Sequence, residues 1–254
     1  MLLLERKKHG IHFYIAWFAE EPLKKNGIIS YREAKFQSKE AAKVVPFDTL
    51  ITDLTEAEED IKKHFAKNCK YEVNRASREE IEVRILQKQE ITDKVIAEFC
   101  DFFVEFWASK GVNYTNRDKL EKELQGYRNA EAFALGYAFM KGKKSVYHTY
   151  ILDDTCVRLL HSASLYRISD EEDGKLKTLI GMANRYLHYE EMKYFKEQGK
   201  KEYDWGGAGK EEEVQAITKF KKSFGGTEAQ FYDFEEVKGL AAKMFKILVK
   251  LLKR

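Results

Sequence analysis

Two glycine pairs set a helix apart constrain this chain more than any other feature. The run Lys201-Glu-Tyr-Asp-Trp205 meets Gly206-Gly207, a charged connector with Gly209 follows, and an apolar-periodic segment ends at Gly225-Gly226. Aromatic residues alternate in Lys201–Trp205, the pattern of a short strand. Gly206-Gly207 breaks that strand, because only glycine enters positive φ freely and admits another backbone closely. Glu211 to Glu213 supply acidic residues to a first helical turn, where the macrodipole favours them. Val214, Ile217, Phe220, Lys221 and Phe224 then fall on or near one helix face, and the second pair stops the helix. The unit is therefore strand, opening, helix, stop, and a further strand over Thr227–Phe234.

Written as Tyr203-Asp204-x-Gly206-Gly207, a spacer, then Phe220-Lys221-x-x-Phe224-Gly225-Gly226, this segment resembles the C-terminal motif of the FemA/FemB-like acyltransferases, a branch of the GNAT superfamily. Every position of that signature is filled. Each half alone is common, and the competing reading is an ordinary α/β segment with structural glycines. The resemblance implies a mixed sheet flanked by helices and transfer of an acyl or aminoacyl group.

Length and composition fit this. The chain has 254 residues, 44% hydrophobic and 34% charged, enough apolar mass for a sizeable core, and its 2 prolines mark no flexible linker. A net charge of +3 permits an anionic ligand but is too mild to indicate nucleic acid by itself. Cys69, Cys100 and Cys156 are scattered and odd in number, as in a reducing compartment. Met1–Leu4 is too short for a signal-peptide core, and no run reaches the roughly 18 apolar residues of a membrane span. A cytoplasmic location is expected.

Three strands are expected over Ile11–Phe18, Ile28–Phe36 and Phe47–Leu54, then a helix opened by a Thr55/Glu58 capping box. That helix carries Lys62, Lys63, Lys67, Lys70, Arg75 and Arg78, either a basic ledge for a phosphorylated substrate or a solvated face. From Ile81 the periodicities give β-α-α-β-β-β-α-β-α-β, the order of the GNAT fold. Its strands are Ile81–Leu86, Ala132–Met140, Val146–Leu152 and Val157–Leu165, with a long helix over Lys175–Gln198. The fold class expected is thus α/β (α+β), a GNAT-like mixed central sheet flanked by helices. Its divisions are an N-terminal β-rich partial repeat over 1–80, the GNAT-like domain over 81–235, and a basic amphipathic helix over 236–254. That last helix has a wide apolar face and four lysines. Two placements fit it: packing on the N-terminal strands or a second subunit, or peripheral contact with an anionic membrane surface.

A site of this type needs few side chains. Backbone N–H groups of a splayed central strand polarise the acyl carbonyl, phosphates sit at a helix N-terminus, and the amine acceptor needs a base. Alternation puts Ser162 and Ser164 on one face of the Val157–Leu165 strand with Arg158, and His161 on the other; His148 and Tyr150 share a face of the neighbouring strand. His148 or His161 is the candidate general base, each with the competing reading of a satisfied core histidine. Asn184, His188 and Glu191 form one polar line on the long helix. The resemblance places Lys221 where its charge meets a donor phosphate or developing oxyanion, and Asp204 where it positions an amine or caps neighbouring loops. The catalytic candidates are therefore His148, His161, Asp204 and Lys221. Donor and substrate contacts are expected from Ser162, Ser164, Arg167, Asn184, Tyr203, Gly206, Gly207, Phe220 and Gly225. No metal is expected, since the six His and three Cys lack ligand spacing.

The donor stays open between acyl-CoA and aminoacyl-tRNA. The acidic connector Ser169–Asp173 lacks a glycine-rich pyrophosphate loop, which speaks against coenzyme A; the mild charge and missing coiled-coil arm speak against tRNA. The expected acceptor is an amine of an amino sugar or of a peptidoglycan or other cell-envelope glycan precursor. The alternative is a non-catalytic GNAT-fold binding subunit of a membrane-associated glycan-assembly complex.

Overall fold

The computed structural model describes residues 1–79, 81–140, 142–167, 174–209 and 212–252. The acidic connector Ser169–Asp173 and Glu211 lie outside these residues, as do the side chains of Arg167 and Val214. In chain order the elements are β1 (Leu2–Lys8), β2 (Ile11–Trp17), β3 (Gly27–Ala34), β4 (Val44–Asp53), α1 (Glu58–Lys63), α2 (Lys67–Ala76), β5 (Ile81–Gln87), α3 (Asp93–Ala108) and α4 (Arg117–Asn129). There follow β6 (Phe133–Met140), β7 (Lys143–Leu152), β8 (Cys156–Ser164), α5 (Gly174–Glu197), β9 (Glu202–Asp204), α6 (Glu212–Lys222), β10 (Thr227–Lys238) and α7 (Leu240–Leu252). The fold is mixed α/β, as expected.

Two compact units form: Met1–Thr49 with Glu228–Arg254, and Leu50–Thr227. In the first, β1 and β2 are antiparallel, β2 and β3 parallel, and β3 antiparallel to β10. Tyr14, Ala16, Ile29, Tyr31 and Phe234 make its main core. In the second, β5 to β8 form an antiparallel meander, β9 joins β8 in parallel, and Ile51–Asp53 of β4 pair antiparallel with β9. Helix α5 seats Ile180, Ala183 and Leu187 against Ala138, Met140 and Val146. A largely aromatic cluster including Phe65, Tyr150, Phe195, Tyr203, Trp205 and Phe224 makes a further core of this unit. Each such ring taken out of water contributes about 2–3 kcal/mol.

Several local signals behave as the residues dictate. Thr92 caps α3, its hydroxyl accepting from Val95 N–H at 3.3 Å. Thr55 does not cap a helix. Its N–H and hydroxyl both donate to Asp53 Oδ1 at 2.7 Å, a local turn that competes with the capping box. The expected single helix is two, α1 and α2, and Ala66 between them donates its N–H to Ser223 O at 2.8 Å. Met1–Leu4, weighed only as a leader, enters strand β1. The expected C-terminal helix starts later: β10 runs on to Lys238, with Phe234 and Glu236 buried, and Gly239 at φ 84° turns the chain into α7.

The first glycine pair opens where two strands part. Parallel pairing of β8 with β9 ends at Arg158–Asp204, and Gly206 follows at φ 67°. A Cβ there would stand 2.1 Å from Leu159 O, a backbone atom that cannot swing aside. Gly206→Ala is therefore expected to cost about 2–4 kcal/mol from strain and overlap together. Urea denaturation of the purified variant reads this directly, and an unchanged midpoint would contradict it.

Candidate active site

The interior of the Leu50–Thr227 unit holds a continuous polar chain inside its apolar core. At its centre Glu191 of α5 is fully buried. Its Oε2 accepts from Tyr150 OH at 2.5 Å and faces His148 Nδ1 at 2.7 Å. Tyr150 has one proton and gives it to Glu191, so Tyr203 OH donates to Tyr150 at 2.8 Å, and His188 donates its Nδ1–H to Tyr203 at 2.8 Å. On the other side His148 Nε2 meets Asn184 Oδ1 at 2.8 Å. The strands supply His148, Tyr150 and Tyr203 by alternation, and the i, i+4, i+7 line of α5 supplies Asn184, His188 and Glu191.

Burial pushes the Glu191 carboxyl above its ordinary range, against the pull of His148. Burial, then His148, Lys221 and Arg185, hold His188 well below the ordinary histidine range, so it is neutral. The His148 and His188 rings stack at 3.9 Å between centroids. Gly136 of β6 lies against the carboxylate: a Cβ there would come within 2.0 Å of Glu191 Oε1, so only glycine leaves room for it. His148, His188 and Glu191 offer ligand atoms within 4.8 Å of one another, a metal-capable set that sequence spacing does not announce. The ring nitrogens facing Glu191 and Tyr203 are already engaged there, so a cation would have to displace these hydrogen bonds.

Asn184 carries this chain to a surface cavity of about 610 Å³. With Oδ1 held by His148, its NH₂ is the group left for a ligand. The wall is cationic and aromatic: Arg75, Lys110, Lys177 and Arg185 stand with Tyr71, Phe106, Tyr166 and Phe220, and Ser164 adds a hydroxyl. Arg185 is fixed in place, with Nε donating to Glu72 at 2.7 Å, NH1 donating to Ser223 Oγ at 2.9 Å, and its guanidinium 4.6 Å from the Phe220 ring centroid. Glu72, the one acid among the lining residues, is thereby paired.

The expected residues divide into groups. Ser164, Asn184 and Phe220 line the cavity. His148 and Tyr203 belong to the buried chain, and His148 has no exposure. Asp204 is buried, and its Oδ1 accepts from Gly206 N–H at 2.7 Å. Lys221, placed by resemblance near phosphate or oxyanion, donates to the carbonyls of Gly206 at 3.1 Å and Gly207 at 2.6 Å. It clamps the turn that the glycines open. Gly207, at φ 93°, completes that turn, and Gly225, at φ 79°, brings the end of α6 against His64, where a Cβ would meet His64 Cβ at 2.6 Å.

The face assignment on β8 needs one correction. The register with β7 shifts between Thr149 and Tyr150, pairing Thr149 with His161 but Tyr150 with Leu159. This bulge inserts Leu160 and reverses the alternation. Ser162, which is exposed, and Ser164 consequently share a face with His148, while Arg158 shares the opposite face with His161. His161 bonds Thr149 Oγ1 at 2.8 Å and packs on Phe99 and Phe103 of α3. Arg167 lies in a short turn after β8.

Sequence reasoning missed Lys110, Phe106, Tyr71 and Arg185 as cavity residues. They come from α2, α5, the end of α3 and the turn that follows it, far apart in the chain, and no spacing links them. Arg75 belongs to the basic ledge expected for a phosphorylated substrate.

No protein-family model and no curated protein matches the chain. Solved structures do. FemX superposes with a TM-score of 0.57 at 13% identity over 79% of this chain and 63% of FemX. This chain thus spans less than two thirds of FemX. A conserved protein of unknown function from Bacteroides thetaiotaomicron VPI-5482 gives 0.55 at 11% identity, over 93% of this chain and 82% of that one. L-PGS from Bacillus licheniformis gives 0.50 at 13%, over 89% and 73%. At these identities the likeness establishes the fold, which is GNAT-like.

Burial, then Arg158, pushes His161 down to about 4. The unfolded chain therefore binds a proton near pH 6.5 that the folded chain refuses until about pH 4, so this residue's contribution is full above pH 6.5 and is lost as pH falls. Between pH 7 and pH 5 it should remove about 2 kcal/mol of stability. The His161→Phe variant should show a shallower pH slope in urea unfolding by that amount; an identical slope would refute the assignment.

Proposed function

We propose that this chain is a GNAT-like acyltransferase. It moves an acyl or aminoacyl group from acyl-CoA or aminoacyl-tRNA to an amine of an amino sugar or cell-envelope precursor. The observation that carries this reading is the cavity, where four cations surround aromatic faces and the Asn184 amide is held by a buried histidine–carboxylate pair. Both donor classes bring phosphates, which Arg75, Lys110 and Lys177 suit, and a nucleobase or other flat group, which Tyr71, Phe106 and Phe220 suit. Lys110 already stands 4.0 Å over Phe106, so charge and ring are presented together.

The reaction is direct attack in a ternary complex. The amine nitrogen forms a bond to the acyl carbon as the thioester or ester bond breaks. The proton lost by the amine balances the one taken up by the leaving thiol or hydroxyl. Asn184 NH₂ donates to the carbonyl oxygen as charge develops there. His148, with no exposure, acts through Asn184 as a positioning residue and not as the base that touches the amine.

A thermal-shift panel of coenzyme A, acetyl-CoA and longer acyl-CoAs, with filter retention of a charged tRNA pool, tests the reading. Stabilisation by an acyl-CoA, or retention of charged tRNA, that is lost in the Arg75→Ala/Lys177→Ala variant supports it; binding of neither class overturns it. With the donor in hand, Asn184→Ala should lower kcat by about 10²–10³-fold with donor affinity nearly unchanged, the loss typical of one oxyanion donor. A loss confined to KM would show that Asn184 only binds substrate.

A further inference from the structure

Helix α7 is amphipathic, yet it buries only part of its apolar surface. At about 100° per residue, Ala242, Phe245 and Val249 form one stripe. Ala242 and Phe245 pack with Ile11 and Phe13 of β2 and with Ile28 of β3, and the Phe13 and Phe245 rings meet edge to face at 5.8 Å. The adjoining stripe has no cover. Leu240, Met244, Ile247, Leu248, Leu251 and Leu252 are each 55–78% exposed. No other helix among the described residues exposes so many large apolar side chains. Scattered exposed leucines need no explanation, but six on one helical sector of about 140° form a patch that water disfavours.

The charge around this patch is mainly basic. Lys243 and Lys250 are exposed along its border, and Lys246 on the same side pairs with Glu235 at 2.6 Å. The strands beside α7 add to it: Arg6 and Lys8 of β1 register with Phe13 and Ile11 of β2, so they lie on the sheet face that α7 covers. Arg6 stands 5.3 Å from the Phe13 ring centroid. Ile15, next on that face of β2, is also exposed.

We propose that α7 is a membrane-surface anchor that lays its exposed apolar stripe into an anionic bilayer, with the lysines and the basic end of β1 meeting lipid phosphates. Charge selects this occupant over a second copy of the chain. A two-fold pairing of the α7 stripes brings the lysine rows of both copies together, whereas anionic headgroups neutralise them. The helix lies on the membrane and does not cross it, since no helix among the described residues is long and apolar enough to span one. This inference rests on the Met1–Thr49/Glu228–Arg254 unit alone and is independent of the reaction proposed above.

Co-sedimentation of the full chain with phosphatidylcholine vesicles, with and without phosphatidylglycerol, provides the test. The chain should pellet with the anionic vesicles, release as salt rises, and stay in solution with phosphatidylcholine alone. Met244→Ser/Leu248→Ser/Leu251→Ser removes exposed side chains only, so an unchanged thermal melt is expected beside a loss of partitioning of about tenfold or more. Lys243→Glu/Lys250→Glu should abolish the preference for anionic vesicles. Failure of the wild-type chain to pellet with anionic vesicles at low salt overturns the proposal. So does light scattering that finds a wild-type dimer which the triple-serine variant loses, because the stripe is then covered by a second copy.

Discussion

A carboxylate taken out of water between a sheet and a helix must be met by donors, and Glu191 sets that demand for the interior of the Leu50–Thr227 unit. An isolated charge in such a place costs several kcal/mol. The surrounding sequence answers with His148 and Tyr150 from one strand face, Tyr203 and His188 behind them, and a glycine at 136 where any side chain would intrude. The network fixes the register of α5 against β6 and β7, because a slip of one residue would leave Glu191 among apolar neighbours. It also fixes Asn184, the member that reaches the cavity.

The motif that points to a transferase fold turns out to be largely architectural. Gly206 and Gly207 let the chain pass close beside Leu159 where β8 and β9 separate, Asp204 and Lys221 brace that passage from two sides, and Gly225 brings α6 against His64. Such a motif marks a fold more faithfully than a chemistry, since its residues hold strands apart and need not touch a ligand. None of Asp204, Gly206, Gly207, Lys221 or Gly225 lines the cavity, which Phe220 of the same motif does.

Much of the architecture was legible because it is periodic: the meander of β6–β8, the long α5, the cap at Thr92 and the strand–glycine–helix unit all carry local signals. The polar line Asn184, His188, Glu191 was visible as helical spacing, and His148 with Tyr150 as strand alternation, but their meeting is a fact of packing that neither pattern contains. The bulge at Leu160 was invisible for a related reason. Nothing in Arg158–Ser164 breaks the alternation, and only pairing with Thr149 and Tyr150 reveals the extra residue. Lys221 shows the opposite limit: its place in the motif was readable, whereas the carbonyls that receive its protons were not.

The division of the chain has a consequence for its synthesis. Residues 50–227 form a contiguous unit, whereas the unit that contains β1–β3 includes β10 and α7, from nearly two hundred residues further on. On the ribosome, β3 therefore leaves the exit tunnel with one edge unpaired and waits for the Leu50–Thr227 unit to be made before β10 can close it. Through that interval Ile28, Ile29 and Tyr31, all buried at the end, stand on an open strand edge, the arrangement from which intermolecular pairing starts. Order of translation thus makes the unit that holds β1–β3 the later of the two to be completed.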